Sequence, residues 1–391
     1  MNYFSLLAVL IVSMAMVTII SAFMNNRWDL ALSIGFILVF LGLTAFRPMA
    51  IPDTQAYADF FFSVDKFPYS LSFQRHYDGF ETGYTNISKI IALFSTSPRV
   101  YFLCIASITS VLSIIGIRML TATMLTKQVS EIPILPVTLI FISYYGFMYT
   151  SIVLRAGLGL SLCWVAYAYL FQKKYIRALL LAVLAILFHK SSILFFILAL
   201  FYFVLPLFSK KTYLIVLSTI VVLYVLRAFD KLNVFFFQLL NLIASRVSLL
   251  SFLNYYLALE IRESTFLLTI LFFMLQWLYI GLFFTDNTSS FQRRNMGVAV
   301  VVSFFSALFG SLPVVTRGLD MVFFIVLPSI IATYLSTERK NYFQVIPAID
   351  SKKAIKLDSI FHTVVFLGIV SINFLLFGRW SGLFRISEIF S

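Results

Sequence analysis

Hydrophobic residues come in long runs from one end of the chain to the other, with few polar positions inside them. Each run approaches the ~20 residues that an α-helix needs to cross ~30 Å of hydrocarbon. The pattern therefore predicts a series of membrane-spanning helices. The predicted spans are 4–24, 30–46, 99–118, 132–152, 156–171, 212–228, 264–284, 297–314, 318–335 and 359–378.

The apolar run at 178–209 does not fit one straight span, because it is too long. Folded as two helices, each leg would hold ~16 residues and rise ~24 Å, somewhat less than the hydrocarbon thickness. We predict a shallow hairpin here, with His189, Lys190, Ser191 and Ser192 at its recessed tip. The hairpin brings the total to about 12 transmembrane helices.

The distribution of charge supports the hairpin over a single span. With a hairpin, 15 basic residues fall in about 63 loop residues on one side of the membrane, against 14 in about 112 on the other. A single span would move every basic loop after Arg177 to the opposite face, against the positive-inside rule. Both chain termini are then predicted on the outer side, and so is the hairpin tip. The basic residues that share the inner side are Arg27, Arg118, Lys127, Lys173, Lys174, Arg177, Lys210, Lys211, Arg293, Arg294, Arg339, Lys340, Lys352, Lys353 and Lys356.

Two long segments fall on the outer side. Residues 47–98 carry several acidic side chains and are too polar to lie in lipid. Residues 229–263 are apolar but interrupted by Arg246, so we expect interfacial or re-entrant helices there. The predicted fold class is an all-α polytopic integral membrane protein, with residues 1–391 forming a single transmembrane domain.

Composition agrees with this fold class and changes the meaning of the net charge. The chain is 61% hydrophobic and 12% charged, with a formal net charge of +13. In a membrane protein such a charge anchors the cytoplasmic side and attracts anionic lipid or phosphate, so we expect no nucleic-acid partner. The sequence contains no metal-ligand spacing, Walker motif or dinucleotide fingerprint, so we expect no metal, no cofactor and no direct use of ATP.

The unusual charges gather on the predicted outer side. Ionisable groups near membrane depth cost ~2.5–3.5 kcal/mol each, so they persist mainly where they face a cavity or a pathway. The arginine fork matches phosphate oxygens two at a time. Several cations with few acids beside them therefore predict a site for a multiply charged anion, such as a lipid-linked diphosphate. The cations concerned are Arg47, Arg155, Lys190, Arg227, Arg246 and Arg317.

Each candidate residue also has a structural alternative. Arg47 at a helix end could be a snorkelling anchor. The small residues around Arg155 suit either close helix packing or close approach of a ligand. Asp53 could cap a helix or belong to the site. His189 could end a helix by bonding a carbonyl, or transfer protons near neutral pH.

Four short motifs occur in this part of the chain. They are R-P…D-T-x-x-Y at 47–57, F-E-x-G-Y at 80–84, an arginine opening a small-residue helix at 155, and F-H-K-S-S at 188–192. In order and spacing they resemble the EpsG/Wzy-type polysaccharide polymerases, over roughly residues 40–205. The resemblance implies an architecture like that of the GT-C-like polymerases and ligases.

The resemblance also implies an activity and partners. Members of this family are multi-pass proteins of the bacterial cytoplasmic (inner) membrane with an active site facing the periplasm. They act as O-antigen or surface polysaccharide polymerases, joining undecaprenyl-diphosphate-linked oligosaccharides that serve as donor and acceptor. The segments 47–98 and 229–263 would then be periplasmic. Membrane lipid and a chain-length regulator protein are the other expected partners.

Roles for individual residues follow from the resemblance as expectations. Arg155 and Arg317 would clamp the diphosphate, supported by Lys190 and Arg47. Either His189 or Asp53 would be the base that acts on the acceptor hydroxyl. Glu81 and Tyr84 would shape the sugar pocket or simply pin the loop. The remaining expected substrate-binding residues are Tyr57, Asp320 and Arg246.

Three other functions remain as alternatives. A flippase for the same lipid-linked oligosaccharide would be expected to have related halves, and the sequence has no visible internal repeat. An O-antigen ligase has a similar membrane plan but transfers finished glycan to lipid A core. A membrane acyltransferase could use His189, but that function would not explain the group of arginines.

Overall fold

The computed structural model describes residues 3–23, 28–69, 80–193, 202–205, 207–246, 290–308, 326–335 and 351–380. Within these ranges every regular element is a helix, so the all-α prediction is confirmed for the described part of the chain. The α-helices are α1 (Tyr3–Phe23), α2 (Asp29–Ala45), α3 (Thr54–Phe62), α4 (Thr82–Ala92), α5 (Pro98–Leu125), α6 (Ile134–Phe141), α7 (Leu154–Phe171), α8 (Tyr175–Phe188), α9 (Lys210–Val225), α10 (Ala228–Arg246), α11 (Ser290–Leu308), α12 (Val326–Leu335) and α13 (Ser351–Trp380).

The helices coincide well with the predicted spans. Among the described residues, α5 and α7 are long and apolar enough to cross a membrane. Four shorter apolar helices accompany them, at Ser5–Ile20, Asp29–Ala45, Tyr175–Phe188 and Asp358–Phe374. The number of 12 spans stays a prediction, because 264–284 and parts of 178–209, 297–314 and 318–335 lie outside the described residues.

The chain divides into two compact units. The first contains Met1–Phe196 and Asn341–Ser391, and the second contains Ile197–Lys340. In the second unit the Tyr213 hydroxyl of α9 donates a 2.9 Å hydrogen bond to the Arg293 carbonyl of α11. Helix α10 covers the first part of the segment 229–263, where the sequence predicted interfacial or re-entrant helices, and the residues after Arg246 in that segment lie outside the described residues. The prediction of a single transmembrane domain is not tested by this division.

Helix α7 forms the centre of the first unit, between α5 and α8. Its Trp164 side chain is 1% exposed and lies against Gly116 of α5. A Cβ atom at Gly116 would come within 2.5 Å of the Trp164 Cβ, so only glycine permits this separation of the two helices. The buried side of α8 is built from alanines, which likewise allow close packing: Ala178, Ala182 and Ala185.

Hydrogen bonds at both ends fix the relative direction of α2 and α6. The Asp29 carboxylate at the start of α2 accepts from the backbone N–H groups of Ile134 and Leu135, at 2.7 and 3.0 Å. These two N–H groups open α6 and have no partner inside the helix. Beyond the other end of α2, Arg47 donates to the Thr150 carbonyl at 3.1 Å. The bundle therefore has two distinct ends, which we name the Asp29 end and the Arg47 end.

The span that begins with α6 continues in wide π-helical turns. These turns cover Ile142–Gly146 and Met148–Ile152. The Val153 N–H closes the second one by donating to the Met148 carbonyl, five residues earlier, at 3.0 Å. Such turns are rare and concentrate at functional sites. The sequence predicted the extent of this span but not its wide turns.

The segment 47–98, which the sequence predicts on the outer side, contains the short helices α3 and α4, and these pack on the Arg47 end through aromatic rings. The centroids of Phe60 and Phe80 are 4.2 Å apart, and those of Phe61 and Tyr101 are 4.3 Å apart. Tyr84 is completely buried in the same cluster. Because this packing is apolar and dense, it fixes α4 relative to the starts of α5 and α7.

Candidate functional site

Glu81 lies at the centre of the candidate site. It directly precedes α4 in an extended backbone conformation and is only 2% exposed. One carboxylate oxygen, Oε2, lies 2.8 Å from Nη1 of Arg155 at the start of α7. A buried carboxylate needs such a partner, because removing an isolated charge from water is very costly. Glu81 therefore connects the segment 47–98 to α7, which starts more than 70 residues later in the chain.

The second carboxylate oxygen of Glu81 faces the end of α8. Helix α8 ends at Phe188, and His189 follows in an extended conformation with its N–H donating to the Ala185 carbonyl at 2.9 Å. The His189 Nδ1 lies 3.2 Å from Glu81 Oε1, an ion-pair distance at which the N–H is not aligned as a hydrogen bond. The backbone N–H of Lys190 approaches the same oxygen at 3.4 Å. One carboxylate thus holds groups from two separate helices.

Arg155 has two aromatic neighbours in addition to Glu81. Its guanidinium carbon lies 4.4 Å above the centre of the Phe80 ring, a cation–π arrangement. The guanidinium also hydrogen-bonds the Tyr57 hydroxyl of α3. The Arg155 side chain still keeps 24% of its surface exposed. The arginine is therefore held in a fixed orientation while part of it faces outward.

Tyr57 titrates differently from a free tyrosine. Burial raises the pKa of Tyr57, and the positive charge and hydrogen bond of Arg155 oppose this shift without cancelling it. The hydroxyl therefore stays protonated at neutral pH. The hydroxyl is a neutral polar partner of Arg155. It therefore does not neutralise the positive charge of the guanidinium.

Two glycines allow the parts of the site to approach each other. A Cβ atom at Gly83 of α4 would come within 2.8 Å of the Leu187 carbonyl oxygen near the end of α8. A Cβ atom at Gly159 of α7 would lie 2.5 Å from Ser192 Oγ and 3.1 Å from His189 Cβ. The sequence left two reasons for the small residues after Arg155, close helix packing or close approach of a ligand. At Gly159 the structure shows close packing.

Asp53 has an unusual backbone conformation. It precedes α3 with φ 63° and ψ −8°, in the left-handed region, which is uncommon for residues other than glycine but which aspartate tolerates better than most. Its exposed carboxylate makes no capping hydrogen bond to the first turn of α3. Asp53 also interacts electrostatically with Tyr57. Its position before α3 was predicted, but its side chain remains available for a role in the site.

Arg47 is buried inside the protein. It is 4% exposed, and Nε donates to Thr54 Oγ1 at 3.1 Å. Nη1 reaches the carbonyls of Thr44 and Thr150, at 3.3 and 3.1 Å. The guanidinium carbon lies 3.8 Å from the centre of the Phe102 ring. These contacts join α2, α3, α5 and the π-helical turns, so the geometry is that of a structural arginine rather than of a lipid-facing anchor.

We expect Arg47→Ala to lower the free energy of unfolding by about 2–4 kcal/mol, because it leaves buried hydrogen-bond acceptors without their donor. Thermal unfolding of the purified protein in detergent measures the change. Arg99→Ala is the matched control, since Arg99 is exposed and lies 5.0 Å from the Phe46 ring. Equal unfolding temperatures for the two variants would contradict the structural role of Arg47.

The other predicted site residues lie in different surroundings. Tyr84 is 0% exposed and shares a hydrogen bond with the Tyr101 hydroxyl, so its position agrees with pinning the loop. Arg246 is the last described residue of α10 in the second unit, and it is exposed. Arg317 and Asp320 lie outside the described residues. Substrate binding by any of these residues stays a prediction.

The structure adds two features that we did not predict from the sequence. Phe80 supports the Arg155 guanidinium, although its place directly before Glu81 in the F-E-x-G-Y motif was a visible signal. Glu81 also places a carboxylate between Arg155 and His189, whereas we expected few acids beside the cations. Among the described residues, no group of three or more His, Cys, Asp or Glu side chains is placed to hold a metal ion.

The fold and the site together define a helical membrane protein with a glutamate, an arginine and a histidine brought together at one end of its helix bundle. The sequence profile of the EpsG family matches residues 29–349, which is most of the chain. The chain belongs to the EpsG family, and the predicted resemblance is confirmed. Membership indicates a polysaccharide-related function of the polymerase or glycosyltransferase kind. No curated protein and no solved structure matches the chain.

Proposed function

We propose that this protein joins diphosphate-linked oligosaccharide repeat units into a surface polysaccharide such as O-antigen. The observation that carries the proposal is the convergence of Glu81, Arg155 and His189 from three separate segments, in a member of the EpsG family. This arrangement combines a fixed cation with an imidazole that can accept a proton. Both are needed when a hydroxyl displaces a diphosphate.

The charge distribution supports a site on the outer side of the membrane. The site lies at the Arg47 end of the first unit, whereas α7 leads into the Lys173–Lys174 connection at the opposite end. Arg118 also lies toward the Asp29 end, where it donates to the Ile132 carbonyl at 2.7 Å. Basic connections mark the cytoplasmic side. In the bacterial inner membrane the site would accordingly face the periplasm.

The proposed reaction is a displacement at the anomeric carbon of the donor glycan. A hydroxyl of the acceptor repeat unit forms the new C–O bond as the bond to the diphosphate breaks, and the bonding electrons leave with the diphosphate. The hydroxyl proton passes to a base. Undecaprenyl diphosphate is the expected leaving group, and its bond to the sugar supplies the driving force, so the proposed reaction does not require ATP.

Cations stabilise the negative charge that grows on the leaving diphosphate. Arg155 is the best placed of the described residues, because Glu81, Tyr57 and Phe80 hold it while part of its surface stays exposed. The Lys190 side chain would support it from the end of α8. Arg317 is proposed as the second half of the clamp, as expected from the sequence.

The base is either His189 or Asp53. Nδ1 of His189 lies 3.2 Å from Glu81 Oε1, and a proton on Nδ1 would leave the Nε2 lone pair to accept the hydroxyl proton. Asp53 offers an exposed carboxylate close to Tyr57. Polymer formation measured against pH for the His189→Gln and Asp53→Asn variants distinguishes the two candidate bases.

Reconstitution into liposomes with lipid-linked repeat units tests the proposed function. We expect ladders of polymer with undecaprenyl diphosphate released in proportion to the bonds formed. Movement of the substrate across the bilayer without ladders would indicate a flippase instead. Transfer to added lipid A core, without ladders in its absence, would indicate a ligase. A chain-length regulator protein, if it acts, would change the ladder length without being needed for the ladder itself.

A further inference from the structure

Helix α8 has two contrasting faces. Its buried face consists of alanines, of which Ala182 and Ala185 are at most 1% exposed. The opposite face carries large apolar side chains at helical spacing, and we call it the α8 stripe. The stripe consists of Ile176 (77% exposed), Leu179 (57%), Leu180 (64%), Val183 (38%) and Leu184 (39%).

The α8 stripe leads directly to the candidate site. Helix α8 ends at Phe188, and the next two residues are His189 and Lys190, which approach Glu81. Other helices of the first unit also expose apolar faces, such as Val9, Val12 and Met16 of α1. No residue of the site lies on α1. The α8 stripe therefore differs from an ordinary lipid-facing surface because it ends next to residues of the candidate site.

The length of α8 also matters. Its 14 residues rise about 21 Å, whereas a hydrocarbon layer is about 30 Å thick, so a helix of this length that starts at one boundary ends about 9 Å short of the other. A bilayer phospholipid keeps its phosphate at that boundary. A long-chain lipid whose diphosphate must reach His189 would instead extend its chain along α8 within the hydrocarbon.

We propose that the α8 stripe binds the polyprenyl chain of the diphosphate-linked substrate and guides its headgroup laterally from the membrane to the site. This inference rests on the proposed function, because it takes its ligand from that reaction. The chain would lie on the stripe by apolar contact, and the ammonium of Lys190 at the end of the stripe would attract the diphosphate. In the described part of the chain the Lys190 side chain has no hydrogen bond or ion pair, so its charge is available.

Tryptophan substitutions test the α8 stripe through its dependence on lipid length. Leu180→Trp and Leu184→Trp add bulk on the stripe, and Met16→Trp adds it on the exposed apolar face of α1. Polymerisation is measured with repeat units on undecaprenyl diphosphate and on a water-soluble diphosphate with a two-isoprene tail. For the stripe variants we expect the KM of the long-chain substrate to rise about tenfold, with no change for the short-chain substrate. Met16→Trp should change neither.

Two outcomes of this assay would overturn the proposal. In one, the stripe variants behave like Met16→Trp with the long-chain substrate. In the other, they lose activity equally with both substrates, because the bulk would then disturb the site rather than the lipid chain.

A binding experiment keeps the inference separate from the proposed function. A photoreactive undecaprenyl diphosphate should label peptides of α8 more strongly than those of α1, even if the wild-type protein makes no polymer. Equal labelling of both helices, or the same preference for α8 with a photoreactive phospholipid, would overturn the proposal. If wild-type protein bound the diphosphate lipid on α8 but made no polymer, only the proposed function would fail.

Discussion

We expect Arg155→Ala to reduce polymer formation by about 10²–10³-fold, because the diphosphate would leave without its best-placed cation. The loss should appear in the turnover number more than in the KM, since charge on the leaving group is greatest in the transition state. Ladder formation in liposomes measures it. The same assay applies to Arg317→Ala, for which the sequence predicts a similar loss.

A matched control separates this effect from a general loss of positive charge. Arg99→Ala removes an arginine that is exposed and lies over the Phe46 ring, where it has no ion pair with Glu81. It should retain nearly full activity. If Arg155→Ala still made long polymer at the rate of Arg99→Ala, Arg155 would have no part in the reaction.

The ion pair between Arg155 and Glu81 should also be visible in stability. Glu81→Ala leaves a largely buried guanidinium without its carboxylate, which costs about 3 kcal/mol. The double variant should lose less than the sum of the two single variants, by about 1–3 kcal/mol. Thermal unfolding of all four proteins in detergent completes this cycle. Strictly additive losses would show that the two side chains do not stabilise each other.

We expect Gly83→Ala to reduce polymer formation at least tenfold and to lower the free energy of unfolding by about 1–3 kcal/mol. The added methyl group would lie 2.8 Å from the Leu187 carbonyl oxygen. A backbone atom cannot turn aside as a side chain can, so α4 and the end of α8 must separate. Because Glu81 and His189 lie two positions from these contact points, their 3.2 Å approach would lengthen.

Gly42→Ala provides the control for Gly83→Ala. Gly42 lies in α2, and nothing would come within 4 Å of a Cβ atom there. This change should leave activity intact and stabilise the helix slightly, since alanine has the higher helix propensity. Comparable activity and unfolding temperature for the two variants would mean that the α4–α8 contact is looser than the structure has it. Both quantities are measured on the same purified samples.

The sequence predicts the framework of the fold because membrane thickness imposes a length on apolar runs. The starts of α2 and α5 were predicted within one residue, and α8 ends next to the predicted hairpin tip. A run of about 20 apolar residues carries this information locally. The break at His189 could also be predicted from local sequence, because two polar residues interrupt a continuous apolar pattern there.

The partners of the charged residues could not be predicted in the same way. Glu81 contacts a residue more than 70 positions away, and Arg47 bonds a carbonyl more than 100 positions away. The sequence identified the motif that contains Glu81 but left two roles open for it. For Arg47 the acceptor is a backbone carbonyl, which every residue carries, so no sequence pattern distinguishes Thr150.

The π-helical turns have a consequence for chain length in this family. Each wide turn contains more residues than an α-helical turn, so the segment 142–152 holds spare residues. Deleting one residue there would let the backbone rewind into a regular helix, with little rotation of α7 beyond it. The same deletion within α5 would rotate every later side chain of that helix by about 100°. Natural gaps and insertions should therefore concentrate in this segment, and those that remove the wide turn at Thr150 should coincide with loss of the arginine corresponding to Arg47.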